Sequence, residues 1–76
     1  MAARTKSAAE IQQLTPMQRI VAEWLAIGAT MHEIAQQNGI SVKTVDSHRG
    51  EALRKLGCRN NFELARMALR EGWVTL

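Results

Sequence analysis

A single cysteine (Cys58), two histidines (His32 and His48), one proline and no tyrosine leave this chain of 76 residues with few groups that build covalent or metal-bound scaffolds. One thiol excludes an internal disulfide. One thiol with two imidazoles also falls short of the four Cys or His ligands that structural zinc sites use. No metal, cofactor or small-molecule ligand is therefore expected in this segment, and a reducing, cytoplasmic setting fits. No apolar run approaches the roughly 18 residues of a membrane span, and the N-terminus lacks the apolar core of a signal peptide, so no membrane partner is expected. Catalysis lacks support as well: Cys58, His48 and Ser47 have no orienting partner pattern, and so short a chain cannot wall off a pocket. There is room for one domain with a small core, burying ~60% or a little more of the unfolded surface, which makes caps and tight helix packing decisive.

What the chain does have is a basic segment with a clear helical period. Ser41 follows a Gly39-Ile40 turn signal and can cap a helix beginning at Val42, and Gly57 marks a left-handed stop just past Leu56. At about 100° per residue, Val42, Val45, Ala52, Leu53 and Leu56 share one arc, the buried face. Opposite lie Lys43, Ser47, Gly50 and Arg54, with Asp46 on one shoulder and Thr44, Glu51 and Lys55 on the other. This outward face is short-chained in the middle and basic at both ends. Short polar side chains let a helix approach a groove closely, while Lys and Arg at its edges can reach phosphate oxygens. An ordinary solvated face would look similar on this helix alone. Charge placement separates the two readings: of the net +3, segment 41–59 carries five basic residues (Lys43, Arg49, Arg54, Lys55 and Arg59) against Asp46 and Glu51, and the remainder sums to zero. So localised an excess is the electrostatic footprint of a polyanion partner.

The rest of the chain reads as support for that helix. Residues 1–13 have few core-forming side chains and form a terminal arm or linker, in which Ser7 and Glu10 could cap a short helical piece. Thr15, Pro16 and Gln18 form a capping box that opens a helix whose Met17, Ile20, Val21, Trp24 and Leu25 recur at helical spacing until Gly28. Trp24 is read as core rather than as a stacking platform, because its stripe is otherwise aliphatic. Thr30 and Glu33 form a second box, with Ile34 and Ala35 inward and His32 on the solvent side. A short helix, a tight turn and a longer basic helix make the helix-turn-helix pattern. Asn60 and Glu63 suggest a third box, before a fourth helix with Leu64, Ala65, Ala68 and Leu69 on its apolar side. Phe62, Met67 and Trp73 are then left over, with Val74 and Leu76 in an apolar tail, and such a remainder points to self-association.

Taken together, Leu14-Thr15-Pro16, Arg19, Gly28, Glu33-Ile34-Ala35, Gly39-Ile40-Ser41, Lys43-Thr44-Val45, His48, Arg54-Lys55-Leu56-Gly57, Arg59-Asn60 and Glu63-Leu64 resemble the LuxR-type (NarL or GerE-type) helix-turn-helix domain over residues 14 to about 74. The resemblance implies an all-α, four-helix domain at 14–76 that binds duplex DNA as a dimer, with the third helix in the major groove and the fourth at the dimer contact. It implies that Asp46, Ser47 and Gly50 face the bases and that Thr30, Lys43 and Thr44 touch phosphates. The outward face agrees, and adds His48, Arg54 and Lys55 as phosphate contacts. Phe62, Met67 and Trp73 are the expected dimer residues, in a homodimer or in a heterodimer with a related regulator.

There are departures from the family pattern. Gln18 and Ile20 stand where the family usually has acidic residues, Asp46 where a basic or long side chain is common, and Gly50 where a side chain commonly meets DNA. Family members usually carry an N-terminal receiver or ligand-binding domain, so the sequence reads as an excised C-terminal domain or a small free-standing regulator. The expected function is sequence-specific transcription regulation. Its competitor is a protein-interaction module that pairs with a related regulator or polymerase through the fourth helix without reading DNA.

Overall fold

A computed structural model describes residues 13–73, and the expectations placed on residues 1–12 and 74–76 lie outside them. Four helices follow one another with short turns: α1 (Pro16–Ala26), α2 (Met31–Asn38), α3 (Val42–Leu56) and α4 (Asn61–Arg70). No strand occurs among the described residues, and the fold is all-α. None of these helices is long and apolar enough to cross a membrane.

Each helix starts where a side-chain oxygen can meet a free amide of the first turn. Thr15 Oγ1 accepts from the Gln18 amide at 3.1 Å and Gln18 Oε1 accepts from the Thr15 amide at 3.1 Å, closing the first capping box. Thr30 and Glu33 close the second, at 3.1 and 2.8 Å. Ser41 Oγ accepts from the Thr44 amide at 3.0 Å and so fixes the start of α3. Such a cap stabilises by about 1 kcal/mol, a sizeable share in so small a domain. The expected third box is offset by one residue. Asn60 Oδ1 accepts from the Glu63 amide at 2.9 Å, but Glu63 Oε1 reaches past Asn60 to the Arg59 amide at 2.7 Å. Gly39 (φ 66°) and Gly57 (φ 72°) end α2 and α3 in the left-handed region, where a Cβ would be strained.

The core is shared by all four helices. α1 packs against both α3 and α4, and α2 packs against α3. Ile34, Leu56, Leu64, Met67, Val21 and Val45 are the largest fully buried side chains. The buried side of α1 is turned from the expected stripe: Gln18, Val21, Ala22 and Leu25 are buried, while Met17, Ile20 and Trp24 are half-buried.

Met67 corrects an expectation. It is fully buried, at 0% exposure, and cannot contribute to a surface for self-association. The inward side of α4 is Leu64, Met67 and Ala68, and Leu69 instead lies 43% exposed. Both groupings are helical arcs in the sequence. Contact with α1 decides between them, because it brings the arc carrying the flexible Met67 side chain onto the core. Phe62 is exposed as expected. Trp73 is half-buried against the core, with the Arg19 guanidinium 5.8 Å from its ring centroid.

Candidate nucleic-acid interface

Helices α2 and α3 meet through a turn of three residues, Gly39 to Ser41, so α3 is held along its buried face while its opposite face is open. Val45, Ala52, Leu53 and Leu56 anchor it, with Val42 half-buried. Lys43, Thr44, Asp46, Ser47, Gly50, Glu51 and Arg54 are all exposed. A Cβ added at Gly50 would have nothing within 4 Å. The middle of the face is thus open down to the helix backbone.

Ion pairing decides which charges on this face are free. Among the described residues four pairs form: Arg19–Glu23 at 2.9 Å, Arg49–Asp46 at 3.4 Å, Arg54–Glu51 at 2.6 Å and Arg59–Glu63 at 2.8 Å. The hydrogen bond from Arg54 holds the Glu51 carboxyl below its ordinary range, and the side-chain hydrogen bond from Arg59 does the same for Glu63. Arg54, expected at a phosphate, therefore already has a carboxylate partner. The two cations of α3 without one among the described residues are Lys43, in its first turn, and Lys55, in its last. Twelve residues apart, they stand ~18 Å from each other along the axis.

Lys55 is nevertheless fastened. Its Nζ donates to Gln18 Oε1 at 2.9 Å and approaches the Gln13 carbonyl at 3.4 Å, tying the end of α3 to the start of α1. Thr30 and Thr44 are exposed at the first turns of α2 and α3. Thr30 Oγ1 accepts from the Glu33 amide at 3.1 Å, and Thr44 Oγ1 accepts from Ser41 Oγ at 2.9 Å. His48 is half-buried on the shoulder nearer Lys55.

Two contributors were not apparent in the hydrophobic pattern. Arg49 lies at about 40° on the wheel set by Val45, inside the buried arc. Its guanidinium spans from Asp46 on the outward face to Asn61 Oδ1, 2.9 Å away at the first residue of α4. Asp46 is therefore opposed by Arg49 one turn later, not only by Lys43 one turn earlier. Gln18 is likewise a polar residue at a core angle of α1, 8% exposed. A polar or charged residue inside an apolar arc was the available signal in both cases.

The groove lined by Trp24, Ile27, Gly28, Ala29, Glu33 and Gln37 has one ionisable group, and Glu33 is engaged in the Thr30 cap. Burial pushes the Cys58 thiol up, away from the reactive thiolate.

The relatives of the chain agree with this reading of its form. The sequence is 48% identical over 60 residues to the transcriptional regulatory protein UhpA of Escherichia coli (strain K12), covering 79% of this chain and 30% of UhpA. It is 34% identical over 67 residues to the transcriptional regulatory protein FixJ of Bradyrhizobium diazoefficiens, covering 88% of this chain and 33% of FixJ. The chain thus spans about a third of the length of these relatives. Its fold superposes on the crystal structure of full-length FixJ from B. japonicum with a TM-score of 0.82 at 32% identity, over 90% of this chain and 34% of that one. The family described as bacterial regulatory proteins, luxR family, matches residues 12–68, and the chain belongs to it.

Proposed function

We propose that this domain binds duplex DNA in a sequence-specific manner, with α3 in the major groove, and regulates transcription in the cytoplasm. The observation that carries the reading is the outward face of α3: open at Ser47 and Gly50, with a lysine toward each end that forms no salt bridge among the described residues. Lys43, Thr44 and Thr30 meet phosphates at one end of the helix, Lys55 at the other, and His48 between them along the helix shoulder. Asp46, Ser47 and Gly50 lie over the base edges. Arg54 joins the phosphate contacts only after exchanging Glu51 for a phosphate oxygen.

The domain acts as a homodimer, or as a heterodimer with a related regulator, through α4. Relative to Leu64, the residues Phe62, Leu69 and Arg66 fall within about 60° of one another, opposite the core side. Phe62 is 70% exposed, Leu69 is 43% exposed, and the Arg66 guanidinium lies 5.8 Å from the Phe62 ring centroid. One short stripe offers little area beside the ~1,200 Å² or more of a stable interface, so the dimer is weak alone and reinforced on paired half-sites. The competing role, a protein-interaction module that reads no DNA, has its best support in the Asp46 carboxylate and in the missing side chain at Gly50. The Arg49 guanidinium beside that carboxylate weakens the objection.

Selection of bound sites from a random duplex pool tests binding, symmetry and base preference together. An inverted repeat is the expected product. Failure to bind any duplex at low salt would overturn the reading in favour of the interaction module.

A further inference from the structure

We propose that Gln18, on the first turn of α1, is a positioning residue for DNA binding: a neutral acceptor that fixes the Lys55 ammonium at the end of the reading helix without cancelling its charge. This rests on the duplex-binding reading above.

Five basic residues in segment 41–59 carry the chain's excess charge, and three of them are answered by carboxylates: Arg49 by Asp46, Arg54 by Glu51 and Arg59 by Glu63. With Glu63, outside that segment, set against Arg59, the cations that form no salt bridge among the described residues are Lys43 and Lys55, the second within electrostatic reach of Glu51. Lys43 is exposed, whereas Lys55 is half-buried and held 2.9 Å from Gln18 Oε1. That same oxygen accepts from the Thr15 amide at 3.1 Å, so the amide is pinned by the capping box before it receives the lysine. Only a carbonyl-type or carboxylate oxygen at this position can do both jobs. A glutamate would keep the cap and turn the tie, already charge-assisted by the ammonium, into an ion pair between opposite charges. It would also neutralise Lys55 and leave Lys43 as the only unanswered cation of α3. An amide gives up some of that stability and keeps the charge in the field that a polyanion meets.

The trade is visible in the Gln18→Glu variant, measured on one selected duplex and one scrambled duplex across a salt series. The melting temperature rises. Affinity falls about three-fold on both duplexes, and the log–log salt slope flattens by up to about 0.9, the contribution of one phosphate contact. Lys55→Gln flattens the slope equally without the gain in melting temperature, and it carries the test should the glutamate variant fold poorly. In the double variant the slope matches either single one, because the Lys55 phosphate contact is missing from all three, while affinity falls further because the new carboxylate at position 18 has lost its lysine. A role confined to folding would move the melting temperature and leave the slope unchanged, and that result overturns the inference while duplex binding stands. A wild-type chain that binds no duplex overturns the functional reading, and this inference falls with it.

Discussion

Replacing Asp46 by alanine is expected to tighten binding to every duplex. The carboxylate lies on the outward face of α3 with its side chain 58% exposed, 3.4 Å from the Arg49 guanidinium. With α3 in a groove, a phosphate ~5.5 Å away repels it by about 0.75 kcal/mol at the dielectric of water and about 3 kcal/mol at an effective value of 20. Arg49 offsets part of this, and a net repulsion of about 1 kcal/mol corresponds to a roughly five-fold gain in affinity on its removal. The pair is solvent-exposed, so its loss should cost the fold no more than ~1 kcal/mol. Alanine also releases one arm of Arg49 toward the backbone while Asn61 still holds the other. The assay is a fluorescence-anisotropy titration of Asp46→Ala on the selected site and on a scrambled duplex at one salt concentration. A carboxylate that instead accepts from a cytosine amino group would lose about 1–3 kcal/mol on alanine substitution, at that site alone. Weakening confined to the selected site would therefore refute the reasoning.

Lys43→Ala should weaken specific and scrambled duplexes alike and flatten the salt slope by about 0.9, and a titration series with an unchanged slope would remove Lys43 from the phosphate contacts. Met67→Ala should destabilise the fold by about 2–5 kcal/mol in urea unfolding, as expected for an emptied core site. Phe62→Ala should leave that midpoint nearly unchanged and abolish the gain from a second, inverted half-site; equal midpoints for the two variants would contradict the assignment of α4's faces. Glu63 has its folded pKa depressed, so its contribution to stability is present above the unfolded carboxylate pKa and fades as pH falls through the lower folded value. In Glu63→Gln that acid-side loss should shrink in thermal melts between neutral and acidic pH, whereas an identical pH profile would dismiss the Arg59 pairing as a stabilising contact.

The helix starts were legible because a Thr, Ser or Asn stands three residues before the amide it meets, a signal that depends on no distant part of the chain. The outward face of α3 was legible for a related reason: its apolar arc is narrow and has one solution. Helix α4 was misread: Met67, Leu64 and Ala68 span about 100° of its wheel and Leu64, Ala65, Ala68 and Leu69 about 140°, so the narrower arc, the one that is buried, was already available in the sequence. Arg49 and Gln18 escaped because periodicity counts apolar residues and passes over polar ones at core angles. Their partners, moreover, are 12 and 37 residues away in sequence. The division of the basic segment into answered and unanswered charges is a tertiary property for the same reason.

Gly50 has a consequence for how such a domain could change its target. Glycine inside a helix is destabilising by about 1 kcal/mol relative to alanine, so almost any replacement there strengthens α3. Nothing lies within 4 Å of the position a Cβ would take, so no neighbour must move to admit one. Stability and recognition are therefore uncoupled at this residue: a lysine, glutamine or asparagine introduced at 50 extends a new donor into the groove while the core beneath is unaware of it. Beside Asp46, Glu51 and Arg54, which are held in ion pairs, this is a place on the outward face of α3 where new specificity can be tried without first securing the fold.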